Sequence, residues 1–254
     1  MNSILKKSWW KIFAVVLMVY TIVAGLLFDV PRLAILNETI RVLYFHVPMW
    51  FGMIILLTVS VVYSIRYLNK PSQKFDNYAL EFANIGVVFG VLGLLSGALW
   101  ANYTWGSPWS SDPKQNAAAI AMLIYFAYLI LRNSLEDEQQ RAKIGAIYNI
   151  FAFATLIPLL FVLPRLTDSL HPGNGGNPGF NAYDLDSKLR LVFYPAVLGW
   201  TLLGTWLTSQ RIRLKAINQV LDDQSEEHYI PTEKHDPELV SDTDQRSTYS
   251  RSAD

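Results

Sequence analysis

The sequence contains no cysteine and few charged residues. Without cysteine the chain cannot form disulfides, thiolate metal sites or iron–sulfur clusters, and no cofactor can be attached to it through a thioether. Charged residues make up 17% of the chain, whereas hydrophobic residues make up 52% and aromatic residues 13%. The sequence also lacks an internal repeat, a glycine-rich phosphate loop and a His-Glu pair at zinc-binding spacing. This apolar composition is typical of a membrane protein.

The formal net charge is zero, but the charges are unevenly distributed. Residues 1–215 contain 18 Lys and Arg against 11 Asp and Glu, whereas residues 216–254 contain 3 against 10. The acidic segment is rich in serine and poor in large apolar residues, a composition typical of disordered chain. We therefore predict a membrane domain over residues 1–215 and a disordered acidic cytoplasmic tail over residues 216–254.

Six long apolar runs interrupt the polar sequence. Each is close to the roughly 20 residues that a helix needs to cross the hydrocarbon core of a bilayer. In lipid the backbone polar groups must be satisfied within the segment, so helices are the expected form. We predict an all-α, polytopic membrane protein with six transmembrane helices. The apolar runs cover residues 12–28, 43–65, 78–100, 117–131, 146–163 and 191–207.

Lysine and arginine predict how these helices are oriented, because both residues favour the cytoplasmic side. One side of the predicted bundle carries 12 of the 18 basic residues up to position 215, and the other carries 6. The richer side includes both termini, so both termini are predicted to be cytoplasmic. The loops at 29–42, 101–116 and 164–190 then face outward. The first run follows two lysines as a secretory signal would, but no convincing cleavage site follows it, so we expect a retained anchor.

Two of the four histidines lie at the predicted outer face. His46 stands in RVLYFHVPMW at the outer end of the second run, and His171 stands in LTDSLHPGNGG in the third external loop. An ionisable residue at the membrane boundary is a candidate functional residue; the alternative is a histidine that only bonds a backbone carbonyl. His228 and His235 lie in the tail, where we expect them to be solvated.

Two imidazoles without further donors nearby suit a metal whose other positions are already filled. Haem iron fits this description, because the porphyrin supplies four nitrogens and the protein supplies one or two axial ligands. A bare zinc site normally uses three or four protein ligands, and two histidines with Asp112 alone make a sparse set. The histidines therefore favour a haem site, with an interfacial pair of histidines as the alternative.

The loop TWGSPWSSDPKQN between the third and fourth runs contains two tryptophans. Trp105 and Trp109 stand among Gly, Pro and Ser, and a porphyrin face would give them a flat apolar partner; the alternative is an aromatic belt at the membrane interface. Asp112 precedes Pro113 and is a candidate helix cap, a role compatible with a haem site. The external cations that could meet haem propionates, or lipid headgroups instead, are Arg41, Lys114, Arg165, Lys188 and Arg190.

These residues resemble the haem-handling proteins of cytochrome c assembly, the WWD-loop family. WGSPWSSDPK is similar to the family's tryptophan-rich loop, which reads close to W-G-x-x-W-x-W-D, and RVLYFHVP and LHPG resemble its two histidine segments. The six-span layout resembles the shorter, haem exporter C (CcmC) branch. The resemblance covers roughly residues 10–210. It departs from the pattern at Ser111, where the family has tryptophan, and at Pro108, where many members have an aromatic residue; Tyr103 and Trp100 are candidate substitutes.

The resemblance implies a function and a set of site residues. The protein would bind haem b non-covalently, with His46 and His171 as axial ligands, and present it at the periplasmic face of the bacterial cytoplasmic membrane. Its partners would be the haem chaperone CcmE, the CcmA, CcmB and CcmD subunits of an ABC-type release complex, and membrane lipid, but no nucleic acid. The expected cofactor-binding residues are His46, His171, Trp105, Gly106, Trp109, Asp112, Arg41 and Lys114.

On this hypothesis the chain is not itself an enzyme. The alternative is a component of a cytochrome c haem lyase or synthetase that attaches haem to apocytochrome, but the longer CcsA and CcmF branches have more spans and additional histidines. A solute permease is a third class, and it predicts polar or broken helix centres. The apolar runs contain little of that kind besides Gly90, Gly93 and Gly97, which fit close helix packing.

Overall fold

The computed structural model describes residues 7–32, 35–171 and 185–228. Within these ranges the chain is helical and without strands, and six helices are long and apolar enough to cross a membrane. This confirms the predicted all-α fold with six spans; the orientation of the termini stays a prediction. The helices are α1 (Trp9–Leu27), α2 (Leu43–Asn69), α3 (Gln73–Trp105), α4 (Pro113–Asn133), α5 (Glu138–Ile157) and α6 (Ser187–His228). Short helical turns at Asn37–Val42, Pro158–Val162 and Leu163–Arg165 flank α2 and α5.

The loop between α3 and α4 is shorter than the apolar runs indicate. Helix α3 continues to Trp105 and ends at Gly106, whose φ of 77° places it in the left-handed region that glycine tolerates. Helix α4 begins at Pro113, and Asp112 caps it by accepting a hydrogen bond from the backbone N–H of Lys114. The predicted cap is confirmed, and the connection shrinks from residues 101–116 to residues 106–112.

Helix α6 is longer than predicted, because it continues to His228. The expectation of disorder from residue 216 is therefore wrong for residues 216–228. This stretch contains neither glycine nor proline, and its Ala, Leu, Gln and Glu residues favour helix in spite of its acidic character. The rest of the predicted tail, residues 229–254, lies outside the described residues.

The two main apolar cores among the described residues hold the helices together. The larger lies between α2, α3, α4 and α5, where Leu56, Phe89 and Tyr125 are almost completely buried. The smaller joins the end of α1 and the start of α2 to the residues around the start of α6, and it includes Tyr44 and Phe193. Members of this smaller core also line the cavity described below, so it forms one wall of the candidate site.

Charged side chains near the opposite end of the bundle are paired. Arg132, close to the end of α4, bonds Asp76, close to the start of α3. Arg211 on α6 bonds Glu81, which is almost fully buried in α3. Pairing lowers the cost of placing charges among apolar helices. These four residues therefore have a structural role, away from the loop at residues 106–112.

Candidate functional site

A cavity of about 340 Å³ lies at the end of the bundle that carries the loop between α3 and α4. Its walls come from α2, α3, α4, the chain that follows α5 and the start of α6. Most of the lining is aliphatic. The polar and aromatic lining residues are His46, Trp50, Phe51, Trp100, Thr104, Trp105, Trp109, Lys114, Gln115, Phe161 and His171. The structure thus brings both predicted histidines, both loop tryptophans and one predicted cation to a single cavity.

His46 lies one turn into α2 and is oriented by the facing helix α3. Its Nδ1 lies 3.0 Å from Oγ of Ser96, and that hydroxyl in turn donates to the backbone O of Gly93 at 3.1 Å. The rings of Trp50 and Trp100 stand edge-on to the imidazole, with centroids 6.3 and 5.9 Å away. Among the described residues Nε2 of His46 has no hydrogen-bond partner. Hydrogen bonding and aromatic contacts therefore fix the ring and leave one nitrogen available.

Two glycines of α3 make room for this arrangement. A Cβ at Gly97 would lie 2.6 Å from Cε1 of His46, and a Cβ at Gly93 would lie 2.8 Å from the ring of Trp50. Both distances are too short for a real side chain, so any larger residue would displace these rings. The glycine spacing that the sequence indicates for helix packing therefore also shapes the candidate site.

His171 is held by Asp112, which lies 59 residues before it in the chain. Nδ1 of the imidazole is 2.9 Å from Oδ1 of the aspartate, whose side chain is only 1% exposed. A buried carboxylate accepts hydrogen bonds and cannot donate, so Nδ1 carries the proton and Nε2 is unprotonated in neutral His171. Among the described residues Nε2 has no hydrogen-bond partner. Both histidines therefore leave the same ring nitrogen, Nε2, available as a metal ligand.

Asp112 has more than one role. Besides capping α4 and bonding His171, its carboxylate accepts from the backbone N–H of Leu170 at 2.6 Å and from Oγ of Ser169 at 3.1 Å. These bonds join the segment before His171 to the start of α4. A single buried carboxylate therefore fixes the loop that carries one of the two histidines.

The pKa values of His171 and Asp112 are both shifted downward, for different reasons. Burial of the imidazole is the main reason that the pKa of His171 is lowered from its usual 6.5, and Lys114 adds to this while Asp112 opposes it. Burial alone would raise the pKa of Asp112, but the bonds from Leu170, Ser169 and Lys114 and the nearby imidazole together lower it. The pair is therefore a neutral imidazole bonded to a carboxylate around neutral pH.

The two loop tryptophans occupy different positions. Trp105 is the last residue of α3, and its ring stands edge-on to His171 with the centroids 4.9 Å apart. Trp109 lies in the loop itself, lines the cavity and is 43% exposed. Trp105 therefore supports a candidate ligand, whereas Trp109 is accessible from outside.

Ser111, which stands where the family pattern has tryptophan, has an unusual backbone conformation. Ser111 has a φ of 57°, a left-handed conformation that a bulky side chain adopts at a cost. Of the two aromatic residues considered as substitutes, Trp100 lines the cavity and donates its indole N–H to Thr39, whereas Tyr103 is 72% exposed and is not part of the lining. Trp50 adds a further aromatic wall that the sequence did not single out.

Three of the expected site residues, Arg41, Gly106 and Asp112, do not line the cavity, and Asp112 acts through His171 as described above. Arg41 bonds the backbone O of Gly25 and Phe28 at 2.9 and 2.7 Å, and it also pairs with Glu38, so it closes the end of α1. Gly106 contributes a backbone turn, with open space where its side chain would be. The structure therefore gives Arg41 a structural task and leaves Lys114 as the expected cation at the cavity.

The donor set fits haem better than a bare metal ion. Among the described residues no three His, Cys, Asp or Glu side chains gather closely enough to hold a metal ion. Two imidazole Nε2 atoms at one cavity, with tryptophan and aliphatic walls, supply axial ligands and an apolar enclosure but no equatorial ligands. A porphyrin supplies the missing four nitrogens. The residues present are therefore compatible with haem.

The loop also depends on Gln115, which sequence reasoning missed. Its side-chain O accepts from the backbone N–H and the hydroxyl of Ser110, both at 3.1 Å, and its side-chain N–H donates to the backbone O of Pro108 at 3.4 Å. Gln115 and Ser96 are ordinary polar residues without a motif, so only the packing of distant segments reveals them.

The fold and the site define a multi-pass helical membrane protein with two histidines at one largely apolar cavity. The chain belongs to the cytochrome c assembly protein family, whose sequence profile matches residues 3–171. This range begins before α1 and ends at His171, so it contains both histidines and the tryptophan loop.

Individual relatives fall into two groups. The chain is 27% identical to heme exporter protein C of Rhodobacter capsulatus over 172 residues, which cover 65% of this chain and 68% of that protein. It is 42% identical to cytochrome c biogenesis protein CcsA of Pelargonium hortorum over 93 residues, 36% of this chain and 29% of that protein. The CcsA of Prochlorococcus marinus is 43% identical over 82 residues, 32% of this chain and 26% of that protein. The chain thus matches less than a third of the length of these CcsA relatives.

Proposed function

We propose that this protein binds haem b non-covalently between His46 and His171 and presents it for loading onto the haem chaperone CcmE during cytochrome c assembly. The observation that carries the proposal is the pair of imidazoles at one cavity, each with Nδ1 engaged and Nε2 left for a metal. Membership of the cytochrome c assembly family and the extended similarity to heme exporter protein C support the same function.

The chain's own side chains divide the work of binding. The two histidines hold the cofactor from α2 and from the segment after α5, and Trp50, Trp100 and Trp105 enclose it. When bound, haem would supply an iron that the two imidazoles can ligate and propionates that a cation can meet. Lys114 lines the cavity and is the cation placed to meet a propionate. On this proposal these residues hold haem, and the role of the protein is to deliver it.

The position of the cavity agrees with delivery at the outer face. The excess of lysine and arginine at the opposite side favours a periplasmic position for this end of the bundle, with the helices in a bacterial cytoplasmic membrane. The exposed Trp109 and the loop around it are then available to CcmE. CcmA, CcmB and CcmD are the partners that would release the loaded chaperone.

A chaperone-loading assay tests this function. Haem covalently attached to CcmE is measured by haem staining after electrophoresis, in cells that carry CcmA, CcmB, CcmD and either the wild-type protein or the His171→Ala variant. We expect loading with the wild-type protein and strongly reduced loading with the variant, at equal levels of both in the membrane. The Trp9→Ala variant is the control, because Trp9 is exposed at the far end of α1. Equal loading by wild type and His171→Ala would contradict the proposal.

A second candidate is a subunit of a haem lyase or synthetase. It is favoured by the higher local identity to the CcsA proteins, which reaches 43% over a short stretch. The two candidates differ in the acceptor of haem. If the same cells attach haem to apocytochrome without passing through CcmE, the synthetase hypothesis replaces delivery to the chaperone.

A further inference from the structure

The two histidines are supported by chemically different partners. The partner of His171 is the carboxylate of Asp112, and the partner of His46 is the hydroxyl of Ser96. In a metal-binding histidine, the group that hydrogen-bonds the second ring nitrogen fixes the tautomer. It also tunes how strongly the other nitrogen donates to the metal. The hydrogen positions at each site follow from the donors and acceptors present.

At His171 the assignment depends on the acceptor alone. The carboxylate of Asp112 also accepts from two backbone N–H groups, of Leu170 and Lys114, and from Ser169. It has no proton to give, so Nδ1 of His171 donates and Nε2 is unprotonated. The bonds to the carboxylate also keep it in place when the imidazole moves.

At His46 the assignment depends on a chain of two bonds. Ser96 has one hydroxyl proton, which it donates to the backbone O of Gly93. When the hydroxyl donates to Gly93, the same oxygen accepts from Nδ1 of His46, and the tautomer assigned to this imidazole therefore carries its proton on Nδ1. Nε2 of His46 is unprotonated as well, and both histidines are prepared as ligands through the same atom.

The supports differ in charge. A hydrogen bond to a carboxylate is stronger than one to a neutral hydroxyl, and it draws the Nδ1 proton further from the ring. We infer that Asp112 and Ser96 make the two ligands unequal: His171 is the stronger, anchored ligand, and His46 is the ligand that is displaced more easily. This inference rests on the proposed haem function. It adds the order in which the two ligands would be lost on release, with His46 lost before His171.

The tautomers are tested without haem. In the detergent-solubilised wild-type protein labelled with ¹⁵N-histidine, magnetic resonance distinguishes a protonated from an unprotonated ring nitrogen. We expect a protonated Nδ1 and an unprotonated Nε2 for both His46 and His171 at neutral pH. A proton on Nε2 of His46 would overturn the inference, whether or not the protein binds haem. This experiment uses only the wild-type protein, so its result does not depend on whether any variant folds.

The inequality is tested in the haem-loaded protein with two matched variants. Asp112→Asn retains a side chain that can cap α4 but removes the charge, and Ser96→Ala removes the hydroxyl. Loss of an outer partner typically weakens metal binding by about 10- to 100-fold. We expect Asp112→Asn to weaken haem binding by at least about tenfold and to raise the haem reduction potential. Ser96→Ala should change the haem affinity and the reduction potential less than Asp112→Asn does. It should also make displacement of His46 by added imidazole easier.

A third substitution controls for the loss of a hydroxyl. Thr58 lies on α2 and donates only to the backbone O of Ile54, so Thr58→Ala should leave potential and imidazole displacement unchanged. Equal effects of Asp112→Asn and Ser96→Ala on the reduction potential, or a larger effect of Ser96→Ala, would overturn the inference. A wild-type protein that binds no haem would instead refute the proposed function, so the two failures are distinguishable.

Discussion

Oδ1 of Asp112 lies 2.9 Å from Nδ1 of His171, although 59 residues separate them in the chain. The carboxylate belongs to the start of α4, and the imidazole belongs to the segment after α5. This hydrogen bond therefore ties one candidate haem ligand to the start of α4 and orients its ring.

The link predicts how the stability of the haem-free protein depends on pH. The folded state lowers the pKa of His171 below 6.5, chiefly through burial. The unfolded state then binds more protons than the folded state as pH falls below 6.5, so stability should be level above that pH and decrease below it. Thermal unfolding in detergent between pH 8 and pH 5 measures the slope. His171→Gln should reduce the slope between pH 6.5 and 5, and an unchanged slope would contradict this account.

The contact between Gly97 and His46 predicts a severe effect of one added methyl group. In Gly97→Ala the new Cβ would lie 2.6 Å from Cε1 of His46, so the imidazole must move. Overpacking of this kind costs about 1 to 3 kcal/mol, which corresponds to a loss of haem affinity of roughly 5- to 150-fold. Haem titration followed by absorbance measures it. Gly199→Ala is the control, since its Cβ would lie 3.2 Å from Leu17 on the far side of α6; similar affinities in the two variants would argue against a packed His46.

Trp105 and Trp109 are expected to differ in their effects. Trp105 contacts His171, so Trp105→Ala should loosen that ligand and alter the axial spectrum of bound haem. Trp109 is partly exposed, so Trp109→Ala should leave the spectrum intact and weaken haem binding by about 2- to 10-fold, in line with the usual value of an aromatic contact. Absorbance spectra and haem titrations of both variants, with Trp9→Ala as control, check this. If both variants behaved like the Trp9→Ala control, both rings would belong to an interface belt.

Arg41 is expected to matter for stability and not for haem. Its guanidinium bonds the backbone O of Gly25 and of Phe28 at the end of α1. Arg41→Gln should lower the free energy of unfolding by about 1 to 2 kcal/mol, because hydrogen bonds from a charged group are lost, and it should leave the haem spectrum unchanged. Thermal unfolding and absorbance of the purified variant test both parts. A spectral change without a loss of stability would return Arg41 to the haem site.

The sequence predicted the fold well because the apolar runs are long and, apart from Glu81, contain no charged residue. It also singled out His46, His171 and Asp112 as candidates, because each lies beside a proline or at the end of an apolar run, and their role in binding stays a prediction. Helix ends were less predictable, since α3 continues to Trp105 through weak helix formers and α6 continues beyond residue 216 through polar ones.

Contacts between distant segments could not be predicted from the sequence alone. The bond between His46 and Ser96 joins residues 50 positions apart and depends on how α2 packs on α3. The bonds of Arg41 to the end of α1 depend on how the chain folds back before α2. In both cases residue type permits several partners, and only the packing of the helices selects one.

The absorbance spectrum of the purified protein loaded with haem tests the central claim most directly. The wild type should show a six-coordinate, low-spin spectrum typical of two histidine ligands. His46→Ala and His171→Ala should each lose that spectrum, and the double variant should retain little haem. A double variant with the same spectrum and haem content as the wild type would contradict the assignment of His46 and His171 as the ligands.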